Sequence, residues 1–152
     1  MRKRTRAREC ALQILYQLDM MKEELDPVLS SFWELYPAPD EVREFAERLV
    51  RGTTEHLERI DQTIERYAEN WHLTRMAAVD RNILRFATFE LLFMDEVPPK
   101  VTINEAVNIA KKYSQDEAGK FVNGILDKIN HTEAPPSKAI VHPDDPEKNA
   151  ED

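Results

Sequence analysis

The spacing of the apolar residues restricts this chain more than any other feature: they return every three or four positions and almost never alternate. That spacing puts them along one side of a 3.6-residue helix, whereas a half-buried strand needs a period of two. Glycine occurs three times in 152 residues, and only Asn123-Gly124 has the form of a tight hairpin turn. The sequence therefore predicts an all-α fold, a compact bundle of about six helices.

The first stripe runs through Ala7, Cys10, Ala11, Ile14, Leu15, Leu18 and Met21, with Thr5 as its expected N-cap. Asp26-Pro27 reads as a second start, because proline lacks an N–H that the first turn would leave unpaired. Val28, Leu29, Phe32, Trp33 and Tyr36 follow, and Pro37-Ala38-Pro39 ends that helix. From Val42 to Tyr67 one stripe holds without a slip and predicts a single helix over 41–69, with Glu44/Arg48, Glu47/Arg51 and Glu55/Arg59 pairing on its outer face. Gly52 costs about 1 kcal/mol inside a helix, so it marks either a close contact or a break. Residues 76–94 are apolar almost all round and predict the central helix. Thr102–Glu105 and Ser114–Glu117 read as capping boxes, the second opening a helix through Val122, Ile125, Leu126 and Ile129. Residues 132–152 are proline-rich, charged and aperiodic, which predicts a disordered acidic tail. The organisation is one domain over 1–131 followed by that tail.

Enzymatic constellations are missing. The four histidines are scattered, there is no glycine-rich phosphate loop, and Cys10, the single cysteine, lies on a buried stripe. One cysteine permits neither an internal disulfide nor a cysteine metal cluster. No apolar run approaches the ~20 residues that span a bilayer, and the N-terminus has no apolar signal region. The expectation is a cytoplasmic, non-enzymatic protein with no cofactor and no metal.

The net charge of −8 is unevenly spread: residues 1–8 hold five basic residues and no acidic one, while residues 133–152 hold six acidic residues against two lysines. Phosphate binding depends on local potential, since charges beyond about 8–10 Å are screened. Arg2, Lys3, Arg4, Arg6 and Arg8 crowd a helix start where the macrodipole is already positive, an arrangement that a polyanion relieves. Five phosphate contacts on a single strand predict a salt slope of about −3.5. Near the other terminus, Phe121 next to Lys120 is the residue kit for stacking an unpaired base. Phe121 is equally readable as core, since it neighbours the apolar stripe. Tyr16 falls off the first stripe and reads as an exposed anchor for a protein partner or as plain surface. The acidic tail is a candidate to fold back over the basic arm as an RNA mimic.

The stretches "RARECALQILYQL", "LRFATFEL" and "VPPKVTINEAVNIAKKYSQDEAGKFVNGILDKI" resemble the transcription antitermination family NusB, from about Arg4 to Ile129. The resemblance implies six to seven helices in two small subdomains and a non-enzymatic role. That role is binding the boxA element of ribosomal RNA leader transcripts together with NusE, and recruiting further Nus factors and RNA polymerase. It carries the family's RNA-binding arginine motif onto Arg4, Arg6 and Arg8, with Arg2 and Lys3 as extra phosphate contacts. It carries a second RNA patch onto Glu117, Lys120 and Phe121: lysine to phosphate, phenylalanine to a base, and glutamate as a tuner. Tyr16 and Asp80 match positions that the family turns toward NusE. Thr5 stands where some relatives carry another basic residue, which predicts a lighter arm. Two other readings compete. One is a detached accessory domain of a ribosomal RNA cytosine methyltransferase, whose long catalytic domain this chain is too short to hold. The other is a purely protein-binding module, with Phe32, Trp33, Leu35 and Tyr36 supporting a homodimer.

Overall fold

A computed structural model describes residues 2–69 and 71–133. Seven α-helices occur among them: α1 (Lys3–Met21), α2 (Leu25–Leu35), α3 (Asp40–Glu55), α4 (Leu57–Tyr67), α5 (Ala78–Phe93), α6 (Pro99–Tyr113) and α7 (Ala118–Glu133), with a 3-10 turn at Leu73–Arg75 between α4 and α5. No strand is present among the described residues. Helices α1–α3 form one group and α4–α7 the other. α5 joins them by packing on α1, α3, α4, α6 and α7, as its all-round apolar sequence requires. Ile83, Leu84, Phe86, Ala87 and Leu91 are accordingly sealed in a core shared by both groups.

Several helix boundaries depart from expectation, each for a physical reason. The helix predicted over 41–69 is two helices. Its break lies at His56, whose φ of −110° and ψ of 23° leave the helical region and whose ring stacks on Phe93 at 4.2 Å. Gly52 is the close contact: a Cβ there would lie 2.0 Å from Phe89 Cζ. Of the three charge pairs expected on this stretch, only Glu47–Arg51 forms, at 3.6 Å. Arg48 pairs instead with Glu96, and Arg59 lies over the Phe93 ring.

Three expected caps are used otherwise. α1 begins at Lys3, so Thr5 is inside it and donates to Glu105 Oε1 at 2.6 Å. α6 begins at Pro99, whose missing N–H is no loss at that position. That leaves Thr102 inside the helix, buried and donating to Glu90 Oε1 at 2.8 Å. Ser114 ends α6, and α7 starts only at Ala118. α2 starts at Leu25, ahead of Asp26-Pro27. At the far end α7 continues through Thr132 to Glu133, which accepts a hydrogen bond from Tyr67 at 2.7 Å and pairs with Arg66 at 3.3 Å. The tail therefore begins later than position 132. Its remainder, and its suggested contact with the arm, lie outside the described residues.

Candidate nucleic-acid interface

The basic arm is the first two turns of α1, docked against α3. The helix carries no acidic residue in its first turn and no side-chain cap, so its positive end is left to its own cations. Arg2, Lys3 and Arg6 are exposed and Arg4 half-buried. Lys3 Nζ lies 2.9 Å from Glu41 Oε2, the Arg4 guanidinium sits 4.6 Å above the Phe45 ring, and Arg6 Nη2 donates to the Pro37 carbonyl at 3.2 Å. These contacts hold the side chains along one edge without burying their charge.

Arg8 is the correction. Its side chain is fully buried, and its guanidinium donates through Nε and Nη2 to both oxygens of the equally buried Glu90, each at 2.8 Å. Nη1 adds Glu105 Oε1 at 3.2 Å. A group so enclosed is closed to phosphate, and its role is to anchor α1 to α5 and α6. The signal was in the sequence: Arg8 precedes Ala11, Leu12 and Leu15 by three, four and seven positions, on the stripe itself.

The next residue ties the arm to the far corner. Glu9 accepts from Lys112 Nζ at 3.0 Å and from the Tyr113 hydroxyl at 2.8 Å, at the end of α6. The Glu9 hydrogen bond raises the Lys112 pKa, and burial followed by the same partner raises that of Tyr113. Lys112 thus stays cationic and exposed beside the chain that turns into α7. There Glu117 and Lys120 face solvent 3.8 Å apart. Phe121 is half-buried and meets Trp71 edge-on, with centroids 5.9 Å apart at 71°, so the ring is not sealed in the core.

Asp80 lines the same open groove as Phe121, Glu117, Trp71 and Arg75, a space of ≈ 350 Å³. The resemblance had divided Asp80 and Phe121 between a protein and an RNA partner, and the fold puts them together. Tyr16 is exposed on α1, off the buried face as its register predicted. Trp71, Arg75, Lys112 and Tyr113 were missed. Trp71 is the one traceable from sequence, a lone aromatic in the polar run between two stripes. Among the described residues no group of His, Cys, Asp or Glu could hold a metal ion. Burial pushes the Cys10 thiol pKa up, away from the reactive thiolate. No helix among the described residues is long and apolar enough to cross a membrane.

An all-α bundle with an exposed basic helix end and an aromatic corner is the architecture of a binding protein. The chain belongs to the NusB family of transcription antitermination proteins, which are not enzymes; the family profile matches residues 5–131. It is 54% identical over 128 residues to the transcription antitermination protein NusB of Anaeromyxobacter dehalogenans, covering 84% of this chain and 89% of that one. Its fold matches the solved structure of T. maritima NusB with a TM-score of 0.82 and 44% identity, covering 90% and 96% of the two chains. It also matches a chain in the crystal structure of the antitermination factors NusB and NusE in complex with double-stranded RNA, with a TM-score of 0.79 and 33% identity over 86% and 98% of the two chains.

Proposed function

We propose that this antitermination factor binds boxA-type single-stranded RNA of ribosomal RNA transcripts, cooperatively with NusE. It does so in the cytoplasm, within a complex of Nus factors on RNA polymerase. Arg2, Lys3, Arg4 and Arg6 contact phosphates along the outer edge of α1, and Lys120 does so at α7. Phe121 stacks a base and Glu117 moderates the affinity, while Tyr16 and Asp80 face NusE. The observation that carries this reading is the acid-free, uncapped start of α1, which holds four cations within a few residues. The Lys3–Glu41 pair is exposed on both sides. Such pairs contribute ~0–1 kcal/mol, so phosphate displaces the carboxylate readily. The related complex of NusB and NusE with RNA supports the choice of partners.

The test is titration of labelled boxA-type RNA across salt, with and without NusE. Weak binding by the chain alone is expected, with cooperative tightening when NusE is added. Four arm contacts together with Lys120 give a slope of about −3.5 in log affinity against log salt on a single strand. RNA affinity indifferent to both salt and NusE would overturn the proposal.

A further inference from the structure

Arg48 and Arg51 sit one turn apart on α3, both half-exposed, and they meet different surroundings. Arg51 turns to α2, where Asp26 lies 2.9 Å away, and to Glu47 on its own helix at 3.6 Å. Arg48 turns to the chain between α5 and α6 and pairs with Glu96. The basic arm reaches the same place. The Arg4 guanidinium covers the Phe45 ring at 4.6 Å, and Phe45 precedes Arg48 by three positions, on the same side of α3. Glu96 thus answers to guanidiniums from two helices. Burial alone would raise its pKa, but the Arg48 hydrogen bond, a backbone hydrogen bond and the charges of Arg48 and Arg4 outweigh it and hold the carboxyl below its ordinary range. The Arg48–Glu96 pair is open to water on both sides, and an ion pair of that kind adds little to stability. A guanidinium offers phosphate the same parallel N–H donors that it offers a carboxylate.

We propose that Arg48 is a further phosphate contact of the bound RNA, on α3 beside Arg4, and that Glu96 occupies it until a phosphate displaces the carboxylate. The basic edge then extends from α1 onto a second helix, and Glu96 acts as a built-in competitor for the strand. The inference rests on the RNA-binding reading above and adds one contact to it, which carries the expected salt slope from about −3.5 to about −4.2.

The experiment titrates labelled boxA-type RNA across salt, with NusE present, against the full chain and four variants. Arg48→Ala should weaken binding about fivefold near 0.1 M salt and make the slope shallower by about 0.7. Arg48→Lys, which keeps the charge, should keep the slope. Arg51→Ala makes the same charge change on the same helix, away from the arm, and should leave the slope alone. Equal losses for Arg48→Ala and Arg51→Ala would assign the effect to net charge and overturn the proposal. Glu96→Gln removes no cation and should tighten binding, with a smaller gain when Arg48→Ala is also present. Unchanged or weaker binding by Glu96→Gln overturns the displacement, whatever Arg48→Ala does to folding. A slope that responds to Arg6→Ala but not to Arg48→Ala overturns this inference alone. A wild-type affinity indifferent to salt overturns the RNA reading itself.

Discussion

The two ends of α1 are both fastened by arginine–carboxylate networks, but of opposite character. At the start, Arg8 and Glu90 are wholly removed from water, with Thr102 donating to Glu90 and Thr5 to the flanking Glu105. At the end, Asp19 accepts from Arg81 Nε at 2.8 Å and Asn82 Nδ2 at 3.0 Å, with Arg85 at 3.2 Å and also forked onto Asp61. Every member of that second network except Asn82 keeps some exposure. Burial alone would raise the Asp19 pKa, but the Arg81 and Asn82 hydrogen bonds and the Arg85 charge outweigh it and hold the carboxyl below its ordinary range. The difference teaches that one helix is attached at its basic end by a contact closed to water, and at its other end by one that water can reach. The arm's exposed cations owe their fixed position to the buried arginine among them.

Breaking the buried network should have the largest effect. Arg8→Ala leaves Glu90 enclosed without its fork and should cost about 3–5 kcal/mol, read as a lowered urea midpoint. Arg8→Lys should recover little, because an ammonium cannot supply two parallel donors. A loss below 1 kcal/mol for Arg8→Ala would mean that the network is not the anchor described here. At the other end, Asp19→Asn should cost about 1.5–3 kcal/mol at neutral pH, the scale of hydrogen bonds to a charged group.

That same substitution sharpens the contrast through pH. A carboxyl whose folded pKa lies below its ordinary 3.8 contributes stability that is fully present above that value. The contribution is lost as the pH falls through the lowered folded value. Urea midpoints measured down the acid limb should therefore converge for wild type and Asp19→Asn, and a gap that persists unchanged at the acid extreme would speak against the assignment. The smallest effect on stability belongs to Arg6→Ala, within about 0.5 kcal/mol. Its consequence should appear in RNA binding, as a salt slope shallower by about 0.7. Arg6 and Arg8, two positions apart, would thus separate into a binding phenotype and a folding phenotype.

Much of the fold was legible because helical periodicity is local. The stripes of α1, α5 and α7, the central place of α5 and the exposure of Tyr16 follow from three- and four-residue spacing. The caps were less legible, since Thr5, Thr102 and Glu105 have the chemistry of helix ends and spend it on one another and on Arg8 and Glu90 across the core. The break at His56 was hidden because the stripe continues in register through it, and the ring that accompanies it, Phe93, is remote in sequence. At the candidate site the cations were legible as a cluster but not as individuals.

The sequence by itself determined that this chain is helical, where most of its apolar faces lie, and that its positive charge is gathered at one terminus, because each of these depends on residues within a turn or two of one another. Tertiary structure alone decided which arginine faces water and which is sealed against Glu90, 82 positions away, and that Trp71, Asp80 and Phe121 share one groove. Burial and ion pairing depend on which distant helices pack together, and no local pattern encodes the partner that a charge will meet there.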